Sequence, residues 1–159
     1  MSVTIILPRT IIEHAKREAK KLGISLEEYL LELVSSGLDP KDKAAEYIKV
    51  AEELLEQSRE ELRKGDLRLA AEKVWGAAAL SIKAYAYWKE GKRLASHGEL
   101  WEYKERLSKE IGEWVREVWM MASSMHICFY EGWCTERDIE VTYKHVEKLV
   151  KEIEGRIRK

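Results

Sequence analysis

Two short clusters of polar side chains are the places where this chain could do chemistry. The first is Lys92-Arg93-Leu94-Ala95-Ser96-His97-Gly98-Glu99. Ser96 and Glu99 have the spacing of a capping box, so a helix should begin there and present unpaired N–H groups at the positive end of its dipole. Lys92, Arg93, Ser96 and His97 add two cations, a hydroxyl and an imidazole within six residues. That combination suits the phosphate of a nucleotide or of RNA. Glu99 places a carboxylate nearby, and the plainer reading is an ordinary cap under a solvated basic loop.

The second cluster is Met125-His126-Ile127-Cys128-Phe129-Tyr130-Glu131-Gly132-Trp133. His126 shares a helical face with Trp119, Ala122 and Tyr130, which marks it as an inward-facing histidine. A hydrogen-bonded structural imidazole is the plainer reading. The sharper one is a general base set in an apolar wall, with Tyr130 one turn further on. Metal ligation has little support: there is no i,i+4 histidine pair, and His97, His126 and Glu131 would converge only where two helices meet. No metal and no cofactor is expected. The chain carries no glycine-rich phosphate loop, no G-x-S-x-G elbow and no H-E-x-x-H motif.

The elements that position these clusters are helices. Pro8 and Pro40 are the only prolines. Thr10-Ile11-Ile12-Glu13 has capping-box spacing, Ile12, Ala15, Ala19 and Leu22 form one face, and Gly23 closes the helix. Ser25 to Glu28 repeats the device and opens a helix with Leu26, Tyr29, Leu30, Leu33 and Val34 on one side. Asp39-Pro40 is the strongest start signal. It opens a helix with the stripe Ala44, Tyr47, Ile48, Ala51, Leu55, Ser58 and Leu62. About 24 residues at ~1.5 Å each give a rod of ~36 Å. Gly65-Asp66 turns it into an antiparallel partner running to about Glu90. That partner is apolar nearly all round, which makes it the central buried helix, and Gly76 in its middle implies a close neighbour. Helices from Ser96 to about Leu107, from about Lys109 to Tyr130, and from Thr135 onward complete the chain. The one strand candidate is Ser2 to Leu7, which alternates in the manner of a strand and would need a partner, most simply from a second copy.

Composition narrows the function classes. The chain has 159 residues, and 28 Lys and Arg face 29 Asp and Glu, a net charge of −1. This excludes a broadly polybasic nucleic-acid or membrane-surface binder. The longest uncharged run, Val118 to Tyr130, is well short of the ~20 apolar residues that cross a bilayer. No signal peptide is evident, so a cytoplasmic, soluble protein is expected. There is no Asn and a single Gln, Gln57, beside abundant Glu, Lys and Arg. That pattern belongs to proteins of hot environments. Cys128 and Cys134 do not have zinc-ligand spacing; buried thiols are the plainer reading and a local disulfide the alternative.

Residues 1–38 and 39–159 separate as an N-terminal arm and a helical bundle. The arm, VTIILPRTIIEHAKREAKKLGISLEEYLLELV, resembles a ribbon-helix-helix unit, which implies DNA reading by a paired strand. Its outward strand face would be Ser2, Thr4 and Ile6, and residues 1–40 carry five basic against six acidic groups. That is poor equipment for phosphate neutralisation. A dimerisation or packing role is therefore the preferred reading, with DNA regulation as the alternative.

The bundle resembles the archaeal PaREP-type proteins of the HEPN-like helical superfamily. The matching words are LDP at Leu38–Pro40, AAEKVWGAAALSIKAYAYWKEG at Ala70–Gly91, SHGELWEY at Ser96–Tyr103 and MHICFYEGW at Met125–Trp133. The resemblance implies an all-α, up-and-down antiparallel bundle that pairs into homodimers, here with a short N-terminal strand and a two-helix arm. Members of that superfamily include ribonucleases, nucleotide-binding proteins and toxin–antitoxin partners. The ribonucleases share an Arg followed after four to six residues by a His. With His126 as that histidine, Trp119, Met120 and Met121 stand where the Arg belongs, and the nearest upstream Arg is Arg116. The cation that would stabilise a pentavalent phosphate is unsupplied. The expectation is accordingly a non-catalytic, dimeric module binding a nucleotide, RNA or a protein partner through Lys92, Arg93, Ser96 and His97. A metal-independent ribonuclease using His126 and Tyr130 is the alternative.

Overall fold

The computed structural model describes residues 2–158, and these form seven helices. They are α1 (Arg9–Leu22), α2 (Leu26–Ser35), α3 (Pro40–Lys64), α4 (Leu67–Glu90), α5 (His97–Glu110), α6 (Trp114–Glu131) and α7 (Glu136–Ile157). Local chemistry sets most of the starts. The side chains of Ser25, Asp66, Ser96 and Thr135 each accept an N–H from the residue three further on. Asp39 accepts from both Lys41 and Asp42 ahead of Pro40. Gly65 takes the left-handed conformation (φ +83°) that lets α3 reverse into α4 within two residues.

The α3–α4 hairpin is the scaffold. Every residue of α4 from 77 to 87 is buried, and α3, α5, α6 and α7 all pack against this helix. Ser58 on α3 donates to the carbonyl of Ala70 on α4 at 2.9 Å, fastening the hairpin near its turn. A Cβ added at Gly76 would stand 3.2 Å from Leu54 Cδ1, so the glycine is what admits that leucine to the face of α4. The core holds Trp119, Tyr47, Tyr85 and Ile82 almost wholly out of solvent.

Four expectations are corrected. The all-α bundle stands, but the short N-terminal strand does not: among the described residues there is no β-strand. The chain offers residues 2–7 no second strand to complete a ladder, and Val3, Ile5 and Ile6 stand exposed, Ile6 by 94%. Thr10 does not cap α1. The helix already starts at Arg9, with Pro8 at the cap position and no side-chain cap, and Glu13 pairs with Arg9. Cys128 and Cys134 are joined as a disulfide and are not free thiols. Finally, the stripe Leu30, Leu33 and Val34 of α2 faces outward, while Glu28, Leu31 and Ser35 are the buried residues of that helix.

Three ion pairs account for this last reversal. Glu28 pairs with Lys83 on α4, and both are buried. Glu27 lies 3.4 Å from Lys73 on α4, and Glu32 takes the guanidinium of Arg93 at 3.0 Å. A lysine buried in the middle of α4 is tolerable only with its countercharge beside it, and α2 has to turn its carboxylates inward to supply one.

Candidate functional site

Between the α1–α2 arm and the faces of α4, α5 and α6 lies a cleft of about 870 Å³, within the ~300–1,000 Å³ usual for small-molecule sites. One helical stripe builds its bundle wall. Glu72, Trp75, Gly76, Ala79 and Leu80 recur at the three- and four-residue intervals that put side chains on one face of α4. The end of α6 adds His126, Phe129 and Tyr130, and the start of α5 adds Ser96 and His97. The arm closes the other side with the last turn of α1, the bend at Gly23 and the first turn of α2.

Two of the sequence-selected residues meet here from different helices. The imidazoles of His97 and His126 lie 5.3 Å apart between ring centres, nearly perpendicular. Trp75 stacks on His126 at 4.0 Å with only 19° between the planes, and Tyr130 meets the same ring edge-on at 5.3 Å. Glu72 holds His126 Nδ1 at 2.9 Å. That contact engages Nδ1 and leaves Nε2 as the ring nitrogen away from the carboxylate. The pKa of His97 is lowered from its ordinary value, first by partial burial, then by the His126 imidazole and Lys83 close by.

The expected anion site at the start of α5 divides. Ser96 and His97 line the cleft, whereas Lys92 and Arg93 do not. Arg93 is held by Glu32, with both of that carboxylate's oxygens within 3.1 Å. The helix start is also largely satisfied from within: Ser96 accepts the N–H of Glu99, and the Glu99 carboxylate reaches back to the N–H of Ala95. Arg93 serves the docking of α2. Arg116 is equally committed, clamped by Glu105 and Glu113.

Sequence reasoning missed Glu72, Trp75, Lys83 and Glu28. A signal was available in α4, because Glu72 and Lys83 are charged residues in the middle stretch of a helix that is mostly apolar. Eleven residues at ~100° each return to within about 20° of the same direction. Charged groups on a buried helix must face polar partners, and here Lys83 meets Glu28 of α2 and Glu72 meets His126 of α6. Among the described residues no group of three His, Cys, Asp or Glu side chains is arranged to hold a metal ion.

Fold and site together define a class: an all-helical protein with a ligand-sized cleft between a two-helix arm and a bundle, and an imidazole pair in its wall. The model of the Archaeal PaREP1/PaREP8 family matches residues 46–150, well over half of the chain. The protein belongs to that family. Curated proteins and solved structures offer no match to the chain. No helix of the described residues is long and apolar enough to cross a membrane.

Proposed function

We propose that this protein is a non-catalytic binding module of HEPN-like type that holds a small anionic ligand in the cleft beneath its α1–α2 arm and works as a homodimer. The observation that carries the reading is the cleft's charge balance. Its three carboxylates are each engaged: Glu72 by His126, Glu27 by Lys73 and Glu28 by Lys83. Lys16 and Lys20, one turn apart on α1, line the same cleft and have no ion-pair partner among the described residues. These two lysines are the charges of the lining without a partner, and the walls around them are largely apolar, which is the form of a small-molecule site. Nucleotides and short RNA are the ligands suggested by the sequence.

Dimerisation is supported by the outward face of α2, where Leu33 is 52% and Val34 80% exposed beside Leu30. A second copy presenting the same patch would cover it in a self-complementary interface. Sedimentation should give twice the mass of one chain, and Leu33→Glu with Val34→Glu should return a monomer.

The cleft itself is tested by thermal unfolding against a panel of nucleotides, short RNAs and other small anions. Saturation to ~100 times Kd stabilises the fold by ~2.7 kcal/mol, and Trp75→Ala should remove the shift. If no anion raises the unfolding temperature of the wild-type protein, the reading fails.

One observation favours an enzymatic reading. Glu72 on Nδ1 is the arrangement that fixes a histidine as a base, which fits a ribonuclease using His126 and Tyr130. Purified protein would then cleave RNA, and His126→Ala would not. Cleavage that survives His126→Ala ends that assignment. DNA regulation through residues 1–37 draws no comparable support, since residues 1–40 carry five basic against six acidic groups.

A further inference from the structure

Resting on the cleft reading above, we propose that the ligand is a long-chain aliphatic carboxylate, a fatty-acid anion, with its chain between arm and bundle and its carboxylate at the Lys16–Lys20 edge. Three observations lead there. The opposed walls are aliphatic: Ala19, Leu22 and Ile24 on the arm face Leu54, Ala79 and Leu80 on the bundle. Two of the groups that could read a nucleobase are spent on one another, since Glu72 and His126 are mutual partners, and one face of Trp75 lies against His126. An unstacked ring and a free hydrogen-bonding edge are what base recognition needs, and this wall offers neither at Trp75 or Glu72.

The third observation is the charge already described. A single anionic head meeting two exposed lysines at i and i+4 needs no deep polar pocket. Lysine is a flexible point charge on an apolar stem, able to follow a head group while its methylenes extend the wall. A carboxylate on a flexible chain of methylenes therefore complements the cleft on both counts. The volume of about 870 Å³ leaves room for the chain to lie along the groove.

The test is calorimetric titration of the full chain with octanoate, decanoate and dodecanoate below their micelle concentrations, with AMP as the comparison. Each added methylene should tighten binding by up to about fourfold. Lys16→Glu with Lys20→Glu changes only exposed positions and should weaken dodecanoate by about tenfold while leaving dodecanol unchanged. Affinity indifferent to chain length, or an equal loss for the alcohol, overturns the proposal. If AMP binds and Trp75→Ala abolishes it while the carboxylates give no heat, the fatty-acid assignment falls and the cleft stands as a ligand site. If neither class binds, both readings fall.

Discussion

The bundle and the arm solve the same packing problem in opposite ways. In α3 and α4 the apolar side chains point inward, and the core closes around Trp119, Tyr47 and Ile82. In α2 the carboxylates of Glu28 and Glu32 turn inward to Lys83 and Arg93, Glu27 reaches Lys73 from an exposed position, and the stripe Leu30, Leu33 and Val34 points out. Leaving Leu30, Leu33 and Val34 outside forfeits about 1.5–3 kcal/mol each. Stranding one partner of a buried pair such as Lys83–Glu28 costs about 3–5 kcal/mol. The two costs act in opposite directions, so the arm's orientation is a contest between them. The bundle has no such contest, because in α4 burial and helix formation ask for the same residues. This is why the cleft forms on the arm's side: a surface held by a few long polar side chains leaves space that an interdigitated apolar surface would fill.

Breaking the bundle should give the largest effect. Trp119→Ala removes a side chain that is 1% exposed and should lower stability by about 3–5 kcal/mol, read by urea denaturation of the whole protein. The matching change at the arm, Lys83→Met, leaves Glu28 without its partner and carries a penalty of similar gross size, ~3–5 kcal/mol. Here the arm can lift away and hydrate the carboxylate. Hydrogen exchange should therefore accelerate over residues 9–35 and stay slow in α4. Adding Glu28→Leu to Lys83→Met should restore protection, because an apolar pair of similar volume often does as well as a buried ion pair. Failure of the second change to rescue the first would mean that the arm is held by something other than charge.

Intermediate in size is the disulfide between Cys128 and Cys134, which joins residues six apart in sequence and encloses the cleft residues Phe129 and Tyr130. Replacing both cysteines with serine should lower stability by about 2 kcal/mol on the loop-closure argument, measured as a fall in unfolding temperature. The smallest effect concerns His97, whose pKa in the fold lies below its ordinary 6.5 because partial burial, His126 and Lys83 disfavour its charge. Below 6.5 the unfolded chain binds the proton more readily than the fold does. This group's contribution to stability is thus present at neutral pH and declines as the pH falls through that window. The His97→Gln variant should show a shallower loss of unfolding temperature between pH 7.5 and 5.5 than the wild type. An identical slope would separate His97 electrostatically from the His126 cluster.

Much of the architecture was legible because it is written in local chemistry. Asp39-Pro40, Ser25, Ser96 and Thr135 start helices by satisfying orphan N–H groups within four residues, and Gly23, Gly65, Gly91 and Gly132 end them in the left-handed conformation. Thr10 misled for an equally local reason: Pro8 allows the helix to begin two residues earlier, leaving Thr10 inside the first turn. The site was legible only in part. His97 and His126 stood out by type and context, yet Arg93 near His97 is held by Glu32 of α2, and the partner of His126 lies 54 residues away on α4.

The sequence by itself determined what depends on neighbours a few residues apart: the helices, their caps, the reversal at Gly65 and the burial of α4, since hydrogen bonding and periodicity act along the chain. Only the tertiary structure decided which way α2 faces, and that two imidazoles from α5 and α6 share a wall with Trp75 and Glu72. Those outcomes rest on Coulombic and packing forces between segments far apart in the chain, and their balance is settled only when the helices have been placed.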